Sequence, residues 1–389
     1  MILLITAGLY TPLQVQAAEN ITASETANDQ IIPPCLQEAI DIRIRNLTFA
    51  LLDNPADSDI NRHNRMRISR YTLENDLRPD LKLSLPHFEI TCKPRLEFRW
   101  RHWCEGPDQG ESRTNSDLFV YEWQARISLL NKIYLSYGRE DLQWGPSFLL
   151  SPSNPFYTGN GRNFPKQEVD GADYAKLIWA PDQNWTVSFI SNMNEGRRDL
   201  FYEFKRTYAA KIDYLRDDGY FSLNLSKQGA GKTRMGGFCS WNINDASLLY
   251  AEGSINSDEF EALLGISYTA VNGANFHFEY FYNGGGTRDQ PLIPYLLSLD
   301  YMANRKSLAR QNYLFAQYYD HSLMDDWSIL FRGTYGLDDD SATWLVYGDY
   351  NISDHAQLFA SGNLYAGDGS SEFGALHDYT MMIGIELSF

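Results

Sequence analysis

Along most of the chain apolar and polar residues alternate with a period of two, the spacing that puts successive side chains on opposite faces of a β-strand. The C-terminal stretch YTMMIGIELSF is the cleanest case: Tyr379, Met381, Ile383, Ile385, Leu387 and Phe389 share one face, and Thr380, Met382, Gly384, Glu386 and Ser388 share the other. In YTLENDLRPDLKLSL, Tyr71, Leu73, Leu77, Leu81, Leu83 and Leu85 oppose Glu74, Asp76, Arg78, Asp80, Lys82 and Ser84. Similar segments recur near 93–103, 118–129, 132–140, 173–180, 184–192, 206–214, 219–227, 233–243, 246–254, 260–270, 274–283, 312–320, 326–336, 342–351 and 356–365. Most approach the roughly 9–11 residues that a tilted strand needs to cross a membrane.

The connections between these segments alternate in length. Residues 104–117, 141–172, 193–205, 284–311 and 366–378 form a long set, and 130–132, 216–219, 271–275 and 351–355 belong to a short one. A barrel with tight periplasmic turns at one rim and longer external loops at the other has this rhythm. The segments already named make an odd number, and AIDIRIRNLTFALL at 39–52 supplies one more; it alternates cleanly and then changes phase near Asn46, as at a β-bulge. An even count returns both chain ends to one rim. The predicted fold is therefore all-β, a transmembrane antiparallel β-barrel of about eighteen strands over residues 39–389; the alternative is sixteen strands with 33–70 as a plug in the lumen.

Composition supports a wall that is wet on one side and apolar on the other. The chain pairs a mean hydropathy of −0.40 with 25 Tyr and 9 Trp, and no apolar run reaches the roughly 18 residues of a membrane-spanning helix. The opening MILLITAGLYTPLQVQAAEN reads as a signal peptide over 1–17, cut after Ala17 or, as the near alternative, Ala18, although no Lys or Arg precedes its apolar stretch. Residues 18–38 then read as a flexible periplasmic segment. A formal net charge of −17 argues against nucleic acid as a partner. Cys35, Cys92, Cys104 and Cys239 lack metal-site spacing, and no cofactor motif is present; in an exported chain Cys35 and Cys92 are the pair placed at one rim for a disulfide.

Parity assigns the charges. In KPRLEFRWRHW, Leu96, Phe98 and Trp100 face lipid while Arg95, Glu97, Arg99 and Arg101 face the other way, and next door Glu122, Gln124, Arg126 and Ser128 share that wet face. A charge against mid-bilayer hydrocarbon costs roughly 2–4 kcal/mol in a barrel, so this ladder belongs inside. Arg78, Lys82, Arg95, Glu97, Arg99, Arg101, Glu122 and Arg126 are the candidate lumen and selectivity residues. The same parity turns Lys211, Asp213, Arg234, His277, Glu279, Arg332, Asp349 and Glu386 inward. Mutual pairing of these charges as struts that plug the barrel is the competing reading. Most aromatic residues read as interface girdle, including Phe276, Phe278, Tyr280 and Tyr282; Phe238, Phe281 and Tyr347 are the inward ones.

Two long connections stand out. In 141–172, Pro146, Pro152 and Pro155 restrict the backbone and Trp144 and Phe148 offer anchors, so the loop reads as a constriction in the lumen or as an external loop packed on its neighbours. The glycine-led connection over 284–311, apolar around Leu292–Leu299, reads as a cap over the mouth.

RPDL at 78–81, KPRLEFR at 93–99, GREDLQWGP at 138–146, SPSNPF at 151–156, EYFYNGGG at 279–286 and the terminal Phe389 resemble, diffusely, porin-like outer-membrane proteins of the bacterial cell that include alginate-export and capsule-assembly barrels. The resemblance implies an eighteen-stranded channel for polar, anionic or saccharide solutes, embedded among outer-membrane lipid and lipopolysaccharide. A closing strand with a C-terminal aromatic resembles the signal read by the barrel-assembly machinery, which Phe389 would present. Asp76, Asp80, Glu97 and Glu122, interleaved with the arginines, depart from a strongly electropositive lumen. QGAGKT at 228–233 fails as a phosphate loop because Ser226 stands where the first Gly is required. Neither HExxH nor GxSxG occurs. The alternatives are a non-conducting scaffold for exported polysaccharide and, behind it, a barrel hydrolase for which His277 beside Glu279 is the candidate pair.

Overall fold

The computed structural model describes residues 39–156, 165–197, 204–289, 292, 308–323 and 326–389. The expected signal peptide over 1–17, the expected periplasmic segment 18–38 with Cys35, and the apolar stretch after Leu292 lie outside these residues. The described chain forms one closed sheet of eighteen antiparallel strands, each paired with its sequence neighbours. They are β1 (Ile40–Pro55), β2 (Tyr71–Leu85), β3 (Phe88–His102), β4 (Ser112–Leu129), β5 (Ile133–Glu140), β6 (Ala172–Trp179), β7 (Trp185–Asn194), β8 (Thr207–Leu215) and β9 (Gly219–Gln228) in the first half. The second half holds β10 (Thr233–Asn244), β11 (Ser247–Ile255), β12 (Phe260–Thr269), β13 (Asn275–Asn283), β14 (Asn312–Leu323), β15 (Trp327–Gly336), β16 (Ser341–Ser353), β17 (Ala356–Ala366) and β18 (His377–Ser388).

Closure is made by β1, which pairs with β2 on one side and β18 on the other, with Ile44 and Phe389 exchanging backbone hydrogen bonds of 3.1 and 2.8 Å. Closing the sheet removes the edges that hydrocarbon cannot satisfy. Because Ile40–Pro55 is a strand of the wall, the sixteen-stranded alternative with this stretch as a plug is ruled out. The expected bulge at Asn46 is also absent. Both ladders of β1 run through that position in register, so the strand keeps its phase, turning Leu47 and Phe49 inward and Asn46 and Thr48 outward. The apolar pair is accommodated because Leu330, Leu345, Tyr347, Phe359 and Met382 line the same sector of the interior.

A true bulge lies one hairpin away. Lys93 pairs with Glu122 and Pro94 with Val120, which leaves Tyr121 as the extra residue of β4. Strand β4 begins at Ser112, earlier than its alternation suggests, and the loop before it shortens to 103–111. Connections of two to five residues join the strands at the rim that carries Phe389, and the longer connections after β1, β5, β7 and β13 leave from the other.

Candidate functional site: the lumen and its inserted loop

The loop after β5 enters the barrel and is held by wall carboxylates. Glu252 on β11 is 3% exposed and accepts hydrogen bonds from the hydroxyls of Ser147, Ser151 and Ser153 and from the Ser153 amide, the last at 3.1 Å. Glu279 on β13 accepts the amides of Phe148 and Leu149 at 2.6 and 2.8 Å and the Tyr250 hydroxyl at 2.6 Å. A buried carboxylate is tolerated only when donors surround it, and here the donors are supplied by the loop's own backbone and serines. Gly145 opens this turn at φ +86°, and a methyl at its Cα would overlap the Glu252 carboxylate. Leu150 packs with Tyr250, Leu263, Phe281 and Tyr313, while Phe156 packs with Tyr174, Ile190 and Ala209.

Of the four loop residues expected to matter, Trp144 meets Phe156 edge-on at 5.8 Å and lies under the Lys211 ammonium at 5.3 Å. Phe148 rests on His277 with 3.9 Å between ring centroids, Pro152 is buried and Pro155 half-buried. His277 and Glu279 are therefore both occupied by the loop. Phe281, Phe238 and Tyr347, the inward aromatics, are 2%, 6% and 6% exposed, so they pack rather than offer a stacking track.

The returning limb, beyond the undescribed 157–164, reaches the opposite wall. Arg95 on β3 donates two bonds of 2.7 Å to Glu168, one of 2.9 Å to Asp80, and two to the carbonyls of Pro79 and Pro94 at 3.0 and 2.9 Å. The two prolines explain the carbonyl contacts. Neither has an N–H to give the ladder, the β2–β3 pairing lapses between Leu77–Leu96 and Leu81–Cys92, and the five-donor guanidinium of Arg95 fills the gap. Arg78 pairs with Asp76 at 2.6 Å and with the Lys166 carbonyl at 3.1 Å; Lys166 in turn reaches Gln357 and, at 2.6 Å, Glu386. Alternation placed Arg78 and Arg95 on the inner face but gave no sign of Lys166 and Glu168, because a partner across the barrel leaves no local pattern.

The remaining candidates behave differently. Arg99 bonds Glu74 and Glu97, Lys93 bonds Glu122, and Lys82 and Arg126 both reach Glu89. Their cationic side chains keep between 28% and 39% exposure, against 9% for Arg78 and 1% for Arg95. Arg101 makes no ion pair with any described residue. A cavity of about 590 Å³ at the rim of Phe389 is lined by Arg43, Arg45, Asp80, His355 and Glu386. Among the described residues Cys92, Cys104 and Cys239 form no disulfide, and the expected Cys35–Cys92 pair falls outside them.

No family model and no curated protein matches the sequence. Among solved structures the chain is similar to OccK11 and OccK7 of Pseudomonas aeruginosa, with TM-scores of 0.55 for both and identities of 13% and 12%. These alignments cover 90% of this chain and 97% and 99% of theirs. OccAB3 of Acinetobacter baumannii gives a TM-score of 0.57 at 9% identity, covering 90% of this chain and 99% of that one. The chain shares their fold. That fold is a β-barrel, closed here through all eighteen strands.

Proposed function

We propose that the protein is an outer-membrane channel for polar solutes, with the long-loop rim outside and the passage running along β2, β3 and β4. The observation that carries this reading is the inward file of half-exposed charges from Arg101 through Arg99, Glu97, Lys93, Glu122 and Arg126 to Lys82. Charges this exposed on the inner face of a barrel require water beside them, since dry burial of so many ions would be prohibitive. Residues 141–156 and 165–171 of the loop after β5 narrow the passage. Arg78 and Arg95 fix that loop, whereas Arg99, Arg101 and Arg126 meet the solute.

With the paired Glu74 and Glu89 included, five cations face four carboxylates along this file, a small excess that favours anionic solutes, including acidic saccharides of the kind implied by the resemblance to alginate-export barrels. The interleaved Glu97 and Glu122 keep the preference modest. The test is single-channel recording of refolded protein in a planar bilayer under a salt gradient. Discrete open steps with a reversal potential on the anion-selective side are expected; a silent, stably inserted barrel would sink the channel reading in favour of a plugged scaffold.

A further inference from the structure

Four cations gather at the long-loop rim where β8, β9 and β10 meet. Lys205 and Arg206 lead into β8, Lys227 is the last outward residue of β9, and Lys232 ends the turn before β10. Two pairings bring them to one corner: Tyr208 lies opposite Lys227, and the Gly229 amide donates to the Arg206 carbonyl at 2.8 Å. All four side chains are exposed. In a chain of net charge −17 this corner is basic, since the turn before β12 brings to it Asp258, which Lys232 already bonds, and the half-buried Glu259.

The side of the wall decides what these charges meet. Ser222, Asn224 and Ser226 of β9 are buried inside the barrel, so Phe221, Leu223, Leu225 and Lys227 run up its outer face. On β8 the same alternation turns Tyr208 and Ile212 outward, and Arg206 stands one alternation above Tyr208. Arg206 and Lys227 therefore crown an apolar column, at the level where lipid headgroups begin. Arg113 and Arg197 of the same rim have carboxylates of their own, Asp108 and Glu111 for the first and Asp117 and Asp170 for the second. Among the described residues Lys205, Arg206 and Lys227 form no ion pair.

The turn itself is QGAGKT at 228–233, whose glycine spacing fails for a nucleotide phosphate loop. Its shape still suits an anion, because Gly229 adopts φ +52° and a methyl at its Cα would meet nothing within 4 Å, which leaves the turn uncovered between its cations. Arg binds phosphate through paired N–H donors and Lys as a point charge. The cations spread over three strands, roughly 10 Å at the spacing of a sheet, room for more than one phosphate on a single headgroup.

We propose that this corner binds the phosphate groups of lipopolysaccharide in the outer leaflet, with Arg206 and Lys227 as the principal contacts and Lys205 and Lys232 beside them. The site rests on the reading above that the long-loop rim faces outside, and it is separate from whatever the lumen passes.

The experiment is native mass spectrometry of the folded full-length protein in detergent, titrated with bis-phosphorylated lipid A, the same lipid without phosphate, phosphatidylglycerol and inorganic phosphate. A Lys or Arg near an anionic lipid surface raises affinity roughly five-fold. Wild type is expected to hold bis-phosphorylated lipid A at least about ten-fold more tightly than the other three, and Arg206→Gln with Lys227→Gln to lose that margin. Lys132→Gln with Arg216→Gln, which removes two exposed cations of the opposite rim, is expected to keep it. Heat-modifiable electrophoretic migration confirms that each variant is folded. Equal retention of the phosphate-free lipid would reduce the contact to apolar adsorption, preference for phosphatidylglycerol would place the corner at the other leaflet, and displacement by equimolar inorganic phosphate would make it a free-anion site. Each of these overturns the proposal, as does a double variant at Arg206 and Lys227 that binds like wild type. Because binding is read without current, a silent barrel that still binds leaves the proposal standing, and a conducting barrel that does not bind overturns it without touching the channel reading.

Discussion

At the scale of single residues, Glu252 shows how the inner wall and the loop depend on each other. Its carboxylate is 3% exposed and takes four donors from Ser147, Ser151 and Ser153. Glu252→Ala leaves three hydroxyls and an amide to seek other partners in a closed space, at a cost of about 1–3 kcal/mol for the least satisfied of them. Gly145→Ala acts on the same contact from the loop side, through both its φ of +86° and the overlap with the carboxylate. Both substitutions are expected to free residues 144–156, seen as new protease cleavage there and as noisier, larger conductance steps. Unaltered cleavage and unaltered current in both variants would show that the loop is held by other contacts.

At the scale of elements, the long-loop rim carries a carboxyl whose state depends on pH. Glu372, in the connection between β17 and β18, accepts the Tyr313 hydroxyl at 2.5 Å and the Ala309 amide at 2.7 Å, beside the buried Arg310–Asp339 pair. Burial pushes its pKa up to about 7; the two hydrogen bonds and Arg310 pull it down, and Asp339 adds to the rise. Its folded value lies above the unfolded one, so its contribution to stability is complete below the unfolded pKa and is lost as pH rises through about 7. Between pH 5 and pH 8 the contact between 308–311 and 367–376 should loosen. Hydrogen exchange at the Ala309 amide, corrected for the intrinsic rate, is expected to speed up over that window in the wild type and to show no such step in Glu372→Gln.

The elements themselves were legible to different degrees. Strands with one apolar and one polar face announced themselves, since a period of two with water on one side and lipid on the other leaves little ambiguity. Strand β1 was misread near Asn46 because parity arguments assume polar in and apolar out, and this strand reverses both: Leu47 and Phe49 join an apolar sector of the interior, and Asn46 and Thr48 face outward. The inserted loop was recognisable by its length and prolines, but its anchors were not. Glu252 is an isolated acid in an otherwise ordinary strand, and its role depends on serines about a hundred residues earlier.

At the scale of the whole molecule, inward charge divides into two populations that sequence alone cannot separate. Arg78 and Arg95 are spent on Asp76, Asp80, Glu168 and the proline carbonyls, and hold the loop across the barrel. Arg101 and Arg126 keep contact with water, one without an ion pair among the described residues and the other at 39% exposure. The Coulomb energy of a mobile ion with an exposed charge is about 1 kcal/mol at 4 Å in water, so neutralising each of Arg101 and Arg126 to Gln should shift the anion-to-cation permeability ratio by roughly two- to five-fold toward cations. The shift should shrink in 1 M salt, where screening acts within about 3 Å. Arg95→Met is the informative contrast. With 1% exposure it has little direct reach to a passing ion, and its loss should appear first as a weakened loop anchor, in protease sensitivity near Glu168, before it appears in selectivity. Reversal potentials that respond to Arg95→Met and ignore the other two would place the solute path along the loop instead of along β3 and β4.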